Sequence, residues 1–219
     1  MVRKTIPDAV LLSAFTSTMI FPLAMLSVLV AYIARGAELE PYVPHDLSCP
    51  PGSVSGFVQN NFAYVAPLRN FTNITHSFFD IVWYFGSVVT NTTGRDNVPG
   101  ATRFGHGAGG TFNETLIMYF NNPDAYVFAL HGQPATFPMS HSPQATKLDG
   151  YVETMRFLSI CGGKATYIDV ITYYCHDSDE QQQIAAYDLL YTAHTLTFEK
   201  MAAGLGAPVF AGVCPANKA

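Results

Sequence analysis

The chain has 219 residues, of which 49% are hydrophobic and only 12% charged, with a formal net charge of −5. That length suits one domain plus an appendage, with enough apolar content for a sizeable core. The negative balance and the absence of a Lys/Arg cluster argue against a nucleic-acid surface, so no nucleic-acid partner is expected.

Residues 1–4 are basic, and residues 9–34 contain no charged side chain. A cleaved signal has an apolar core of about 7–15 residues, whereas a bilayer span needs about 20. Pro22 can divide the run, and Ala34-Arg35-Gly36 is a mediocre cleavage site. Residues 1–37 are therefore either an uncleaved membrane anchor or a signal peptide. Arg3 and Lys4 stay cytosolic in both cases, so the rest enters the secretory lumen, to be secreted or held at the membrane. N-x-Ser/Thr glycan acceptors at Asn70, Asn73, Asn91 and Asn113 fit that route. So do four cysteines outside the targeting segment, none of them in a C-x-x-C or zinc spacing.

Residues 38–55 are Pro-rich and read as a linker. Residues 57–67 suggest a strand, 70–75 a glycosylatable loop, 77–89 a short amphipathic helix or pair of helices, and 91–99 a turn-rich loop. Short strands are expected over 101–105, 111–120 and 125–131, with Asn122-Pro123-Asp124 as a hairpin turn. An outward Asn113 turns Glu114, Leu116, Met118 and Phe120 inward by alternation. Residues 134–144 read as a loop with a brief strand.

The organising stretch is 151–175, two long strands around Gly162-Gly163, a pair that supplies the positive φ angles of a tight turn. Pairing Cys161 with Lys164 puts Arg156 opposite Asp169 on a face read as wet. Tyr151, Glu153, Met155, Phe157, Ser159, Thr166, Ile168, Val170, Thr172 and Tyr174 then share the other face, which is mostly apolar with one carboxylate. A one-residue slip would exchange the faces. Residues 180–203 read as one long helix with an Asp/Ser cap and a Gly204/Gly206 stop. Ile184, Tyr187, Tyr191, His194, Phe198 and Met201 form its apolar stripe. Residues 207–219 are a Gly/Ala/Pro-rich tail.

Strand rise sets Cys161 and Cys175 at opposite ends of one strand, roughly 35–45 Å apart. A disulfide needs Cα atoms within about 7 Å. If the first strand runs antiparallel to the last, Cys49 meets Cys175, and the helix returns Cys214 toward Cys161. The pairing expected is Cys49–Cys175 and Cys161–Cys214, unless all four stay as buried thiols.

The order of strand, short helices, antiparallel strands, long hairpin and long terminal helix resembles the START/Bet v 1-like (SRPBCC, helix-grip) superfamily. The likeness is carried by Ala66-Pro67, Val82-Trp83, Val98-Pro99-Gly100 before Ala101-Thr102-Arg103-Phe104, Phe112-Asn113-Glu114-Thr115-Leu116, Gly162-Gly163 and the terminal helix. It spans about residues 57–205, and departs from most of that superfamily in its luminal, glycosylated and cysteine-bearing character. It implies an α+β fold over residues 56–206: a seven-stranded antiparallel sheet gripping the last helix around a cavity for apolar small molecules. The size, targeting segment and acceptor sites also resemble small fungal proteins of tropolonic sesquiterpenoid biosynthesis. Those act as hetero-Diels–Alderases, joining a tropolone quinone methide to a terpene alkene such as humulene.

No HExxH, G-x-S-x-G, P-loop or Rossmann fingerprint occurs. The glycine-rich run from Gly105 to Gly110 precedes a strand rather than a helix, so it reads as a mobile loop at the cavity mouth. Glu153 and Glu114 are the candidate hydrogen-bonding acids, since a carboxyl in an apolar cavity can donate to a carbonyl or quinone methide oxygen. Tyr174 is a third catalytic candidate. Trp83, Tyr151, Met155, Phe157, Met118, Tyr187, Tyr191 and His194 are candidate cavity walls, and each has an ordinary core role as its alternative. No metal or cofactor is expected; His106, His131 and His141 have no ligand spacing. The expected partners are apolar small molecules (terpene, tropolone or polyketide). Three functions compete: a cofactor-free cycloaddition catalyst, a luminal carrier of a hydrophobic metabolite or lipid, and a glycosylated surface protein.

Overall fold

The computed structural model describes residues 47–138 and 145–215. The targeting segment, most of the proposed linker, residues 139–144 and the last four residues lie outside that range. Among the described residues no helix is long and apolar enough to cross a membrane.

The described residues form nine strands and two helices, in order β1 (Ser53–Tyr64), α1 (Leu68–Thr75), β2 (Val88–Thr93), β3 (Thr102–Gly107), β4 (Gly110–Asn121), β5 (Ala125–Gly132), β6 (Ala135–Phe137), β7 (Thr146–Leu148), β8 (Gly150–Ile160), β9 (Ala165–Asp177) and α2 (Glu180–Gly204). Seven strands make one antiparallel sheet in the order β1-β9-β8-β5-β4-β3-β2, and β6 pairs with β7 separately. With α2 against the concave face, this is the helix-grip fold.

The β8–β9 register is the one expected from the turn. Ile160 faces Ala165 and Arg156 faces Asp169, with Arg156 Nη2 donating to Asp169 over 2.6 Å. Cys161, Gly162 and Gly163 all carry positive φ, so the turn takes three left-handed residues rather than two. The face read as wet is less open than expected: Asp169 is only 1% exposed, covered by Arg156 and by Gln59, whose amide also donates to it.

Both expected disulfides are present, Cys49–Cys175 with Cα atoms 5.4 Å apart and Cys161–Cys214 at 5.2 Å. Two bridges in one small domain point to an oxidising compartment. The tail is held by more than Cys214. Val65 donates to the Pro208 carbonyl and Phe210 to that of Ala63, so the tail runs along the free edge of β1.

Three expectations fail locally. The strand begins at Ser53, inside the presumed linker. Residues 68–75 are helical rather than loop: Pro67 opens the helix and Leu68, Phe71 and Thr75 form its buried side. Residues 77–87 are turns rather than helix, because side chains claim the backbone donors there. Asp96 and Asn97 accept from Phe79 N and Phe78 N, and Ser77 Oγ accepts from Phe79 N and Asp80 N. Phe85 and Gly86 then take positive φ and turn the chain into β2.

Helix α2 starts on Asp179, whose carboxylate accepts from Gln181 N and Gln182 N. Its buried line is Ala186, Leu190, Ala193, His194, Thr197, Phe198 and Met201. The helix is thus rotated from the expected stripe over its first half. Ile184, Tyr187 and Tyr191 face outward, and the two tyrosine rings stack on each other at 5.8 Å. Ala186 and Ala193 let the helix backbone approach the sheet, which a tyrosine line would hold away.

Candidate functional site

The concave face divides into a filled end and a hollow end. At the filled end Phe157 packs with Phe71, Tyr126 and Phe198, with ring centres 5.4–6.5 Å apart. Phe157 is therefore a core residue and does not line the hollow.

The hollow is bounded by Ile81, Trp83, Tyr84 and Phe85 from the turns, Phe128, Tyr151, Glu153 and Met155 from the sheet, and Leu189, Leu190 and Ala193 from α2. The Gly107-Ala108 turn lines it too. The free volume of the hollow is about 70 Å³, and one water needs roughly 10–15 Å³. The space suits several waters.

One row of residues crosses five strands: Glu114, Gly132, Tyr151, Tyr174 and Gly56. The two glycines decide which way the two tyrosines lean. A Cβ on Gly132 would lie 2.1 Å from the Tyr151 ring, and one on Gly56 2.3 Å from the Tyr174 ring. Tyr151 thus lies across β5 and donates its hydroxyl to Glu114 Oε1 over 2.6 Å. Tyr174 lies the opposite way across β1, beside His176 at 5.6 Å. It is buried away from the hollow, which corrects its reading as a catalytic residue.

Glu114 Oε2 is held by Arg103 Nε at 2.6 Å. Arg103 also donates to the Phe78 carbonyl at 2.7 Å and sits 4.3 Å over the Phe78 ring. Met118 does not join this wall. A bulge between Leu116 and Met118 sets Met118 opposite Ala129 and Tyr119 opposite Phe128, so Tyr119 takes the inner face and Met118 the outer.

Glu153 has a different partner set. Its Oε2 meets His194 Nε2 at 3.0 Å and accepts from Thr172 Oγ1 at 2.9 Å. His194 is 0% exposed and does not touch the hollow; it acts on it through Glu153. Its Nδ1 faces Asn60 Oδ1 at 2.8 Å. Asn60 Nδ2 donates to the Tyr191 carbonyl and Thr195 Oγ1, and since a carbonyl only accepts, the amide orientation is fixed. Nδ1 therefore carries the proton that Asn60 accepts. Nε2 is the ring nitrogen that meets Glu153 Oε2, which leaves Glu153 Oε1 for the hollow.

Between the two carboxylates stands Tyr84, which the sequence reading passed over as a neighbour of Trp83. Burial, then Glu153 and Glu114, push its phenol well above the ordinary value, with Arg103 opposing. The same sequence of burial, then Glu114, raises Tyr151. Both hydroxyls are neutral donors. Arg103 was also missed as a site residue. Counting back from the Gly107–Gly110 turn pairs it with Glu114, and that was the available signal.

Among the described residues no group of three His, Cys, Asp or Glu could hold a metal ion; His141 lies outside them. Asn73, Asn91 and Asn113 are exposed and Asn70 is half-buried.

The sequence matches no family model and no curated protein. Solved structures do match, at low identity. A hypothetical protein of Helicobacter pylori is 10% identical with a TM-score of 0.50, covering 75% of this chain and 98% of that one. A protein of Nitrosospira multiformis is 17% identical with a TM-score of 0.49, covering 68% and 94%. Norcoclaurine synthase of Thalictrum flavum is 11% identical with a TM-score of 0.48, covering 71% and 96%. The likeness is one of fold.

Proposed function

We propose that this chain catalyses bond formation in an apolar small molecule, using side chains alone, with the hollow under α2 as its active site. The observation that carries the reading is the Glu153–His194 pair at the wall of that hollow. With Oε2 held by His194 and Thr172, Glu153 turns Oε1 to the hollow, where it can accept from a substrate hydroxyl or face a developing positive charge. Tyr84 supplies a neutral donor to a substrate oxygen. Donors aimed at one oxygen stabilise charge developing there, and the apolar walls hold the remaining atoms in a reactive pose. Glu114, bound by Arg103 and Tyr151, fixes the field of the opposite wall.

The finer form of this reading is an intermolecular hetero-Diels–Alder reaction. The activated oxygen then belongs to a tropolone quinone methide and the alkene to a terpene. The presence of hydrogen-bonding groups beside apolar residues such as Ile81, Phe128, Met155 and Leu190 in one lining supports it. Its demand is space: a second reactant needs the turns at 81–87 to swing outward. The two disulfides support a secretory-lumen setting, with residues 1–37 the route there and, if uncleaved, the membrane attachment.

A second reading is a carrier. It is favoured by the Arg103–Glu114–Tyr151 wall, whose polar groups satisfy one another and leave a ligand little to bond. The test is to incubate the secreted protein with humulene and a tropolone quinone methide generated in place. The expected result is adduct formation well above the buffer rate, reduced by about 10²-fold or more in Glu153→Gln with humulene retention unchanged. Retention without acceleration would leave the carrier reading; neither retention nor acceleration would remove both.

A further inference from the structure

The two free edges of the sheet are treated differently. The C-terminal end of the β1 edge is covered by the C-terminal tail, through the Val65–Pro208 and Phe210–Ala63 hydrogen bonds and the Tyr64–Val209 bridge. The β2 edge has no strand beyond it among the described residues, and five of its six residues are exposed. An uncovered edge offers unpaired N–H and C=O groups to another chain.

We propose that N-linked glycans on Asn91 and Asn113 cover that edge, with their innermost sugars packed against Phe104. The register supports this directly. Asn91 pairs with Phe104 across β2–β3, and Phe104 with Asn113 across β3–β4. The three residues form one outward row, and directly paired residues hold their Cβ atoms about 4.5–5.5 Å apart. Phe104 is 44% exposed, so its ring stands open between the two acceptor asparagines. On one side lies the row Thr93, Thr102 and Thr115, low and polar, with Thr93 and Thr102 bonded to each other at 2.6 Å. On the other lies the row Val88, His106 and Thr111, where Val88 is 43% exposed. The Phe104 ring is the aromatic platform between the two acceptors. The C–H face of an N-acetylglucosamine ring suits such a platform, and a glycan on each side can cover one face of the phenyl ring. The chain beyond the first sugar then lies over β2 and blocks strand addition.

The experiment uses the full chain secreted from a glycosylating host. Glycopeptide mass spectrometry is expected to find both Asn91 and Asn113 occupied. Trimming to a single N-acetylglucosamine with an endoglycosidase should leave Tm unchanged, with sugar protons shifted upfield by the Phe104 ring. Complete removal with a peptide N-glycosidase should lower Tm by about 3 °C and bring self-association on size exclusion. In Phe104→Thr, which keeps a good strand former at an exposed position, the upfield signals should vanish and the trimmed and fully stripped forms should melt together. Either asparagine unoccupied, no upfield sugar signal in the trimmed protein, or an equal loss on stripping with and without Phe104 would overturn the proposal.

Discussion

Glu114 and Glu153 lie on facing walls of one hollow, on the same face of the same sheet, and their partners set them apart. Glu114 is bound by a guanidinium that keeps its charge and by a tyrosine hydroxyl, and both of its oxygens are occupied. Glu153 is bound through one oxygen to an imidazole and a threonine. The first arrangement is a permanent ion pair that fixes the wall. The second engages one oxygen only and leaves the other to the hollow. A carboxylate in an apolar pocket thus takes its role from its partner.

Removing Arg103 should have the largest effect. Arg103→Met strands Glu114 in the interior, and breaking a buried ion pair from one side costs about 3–5 kcal/mol, read by denaturant unfolding. A loss below about 1 kcal/mol would show that the Glu114 wall is not a fixed ion pair. On the opposite wall Glu153→Gln should slow turnover by about 10²-fold or more while unfolding shifts much less than for Arg103→Met. His194→Gln should slow it similarly, and the double variant should be no slower than either single one, as expected of residues acting as a unit. Additive losses would mean that Glu153 works without His194.

Much of this comparison could be read before the structure, and the failures have identifiable causes. Gly162-Gly163 set the β8–β9 register and with it the inward direction of Glu153, while strand and helix lengths led to both disulfide pairings. Glu114 was reached by alternation, but the same rule carried too far put Met118 inward, because a bulge adds a residue that no side chain announces. The stripe on α2 was drawn through its aromatic residues, whereas close packing on the sheet selected Ala186, Leu190 and Ala193. Residues 77–87 had helical spacing, yet Ser77, Asp96 and Asn97 took the backbone donors, and Tyr84 came into the hollow on a turn. The leaning of Tyr151 and Tyr174 depends on Gly132 and Gly56 in other strands, a relation visible only once the row of five is assembled.

Two smaller effects sharpen the contrast. Among the described residues the Tyr84 hydroxyl has no side-chain hydrogen-bond partner, so Tyr84→Phe should change unfolding by less than about 0.5 kcal/mol. It should weaken retention of an oxygen-bearing aromatic such as tropolone by about tenfold, near 1.4 kcal/mol, and leave humulene unaffected. Outside the hollow, Lys147 and then Ser53 hold the Asp149 carboxyl below its ordinary range. A lowered folded value contributes stability above the unfolded value and loses it as pH falls through the lowered range. Asp149→Asn should therefore be less stable at neutral pH by no more than about 1 kcal/mol, and the gap should close on acidification. A gap that widened would reverse the sign of that assignment.

Histidine ¹⁵N spectra test the Glu153–His194 pairing. His194 Nδ1 is expected to carry the proton that Asn60 Oδ1 accepts, and Glu153→Gln should shift the Nε2 resonance while leaving the Nδ1 signal in place. A proton-free Nδ1, or an Nε2 signal indifferent to Glu153→Gln, would contradict it.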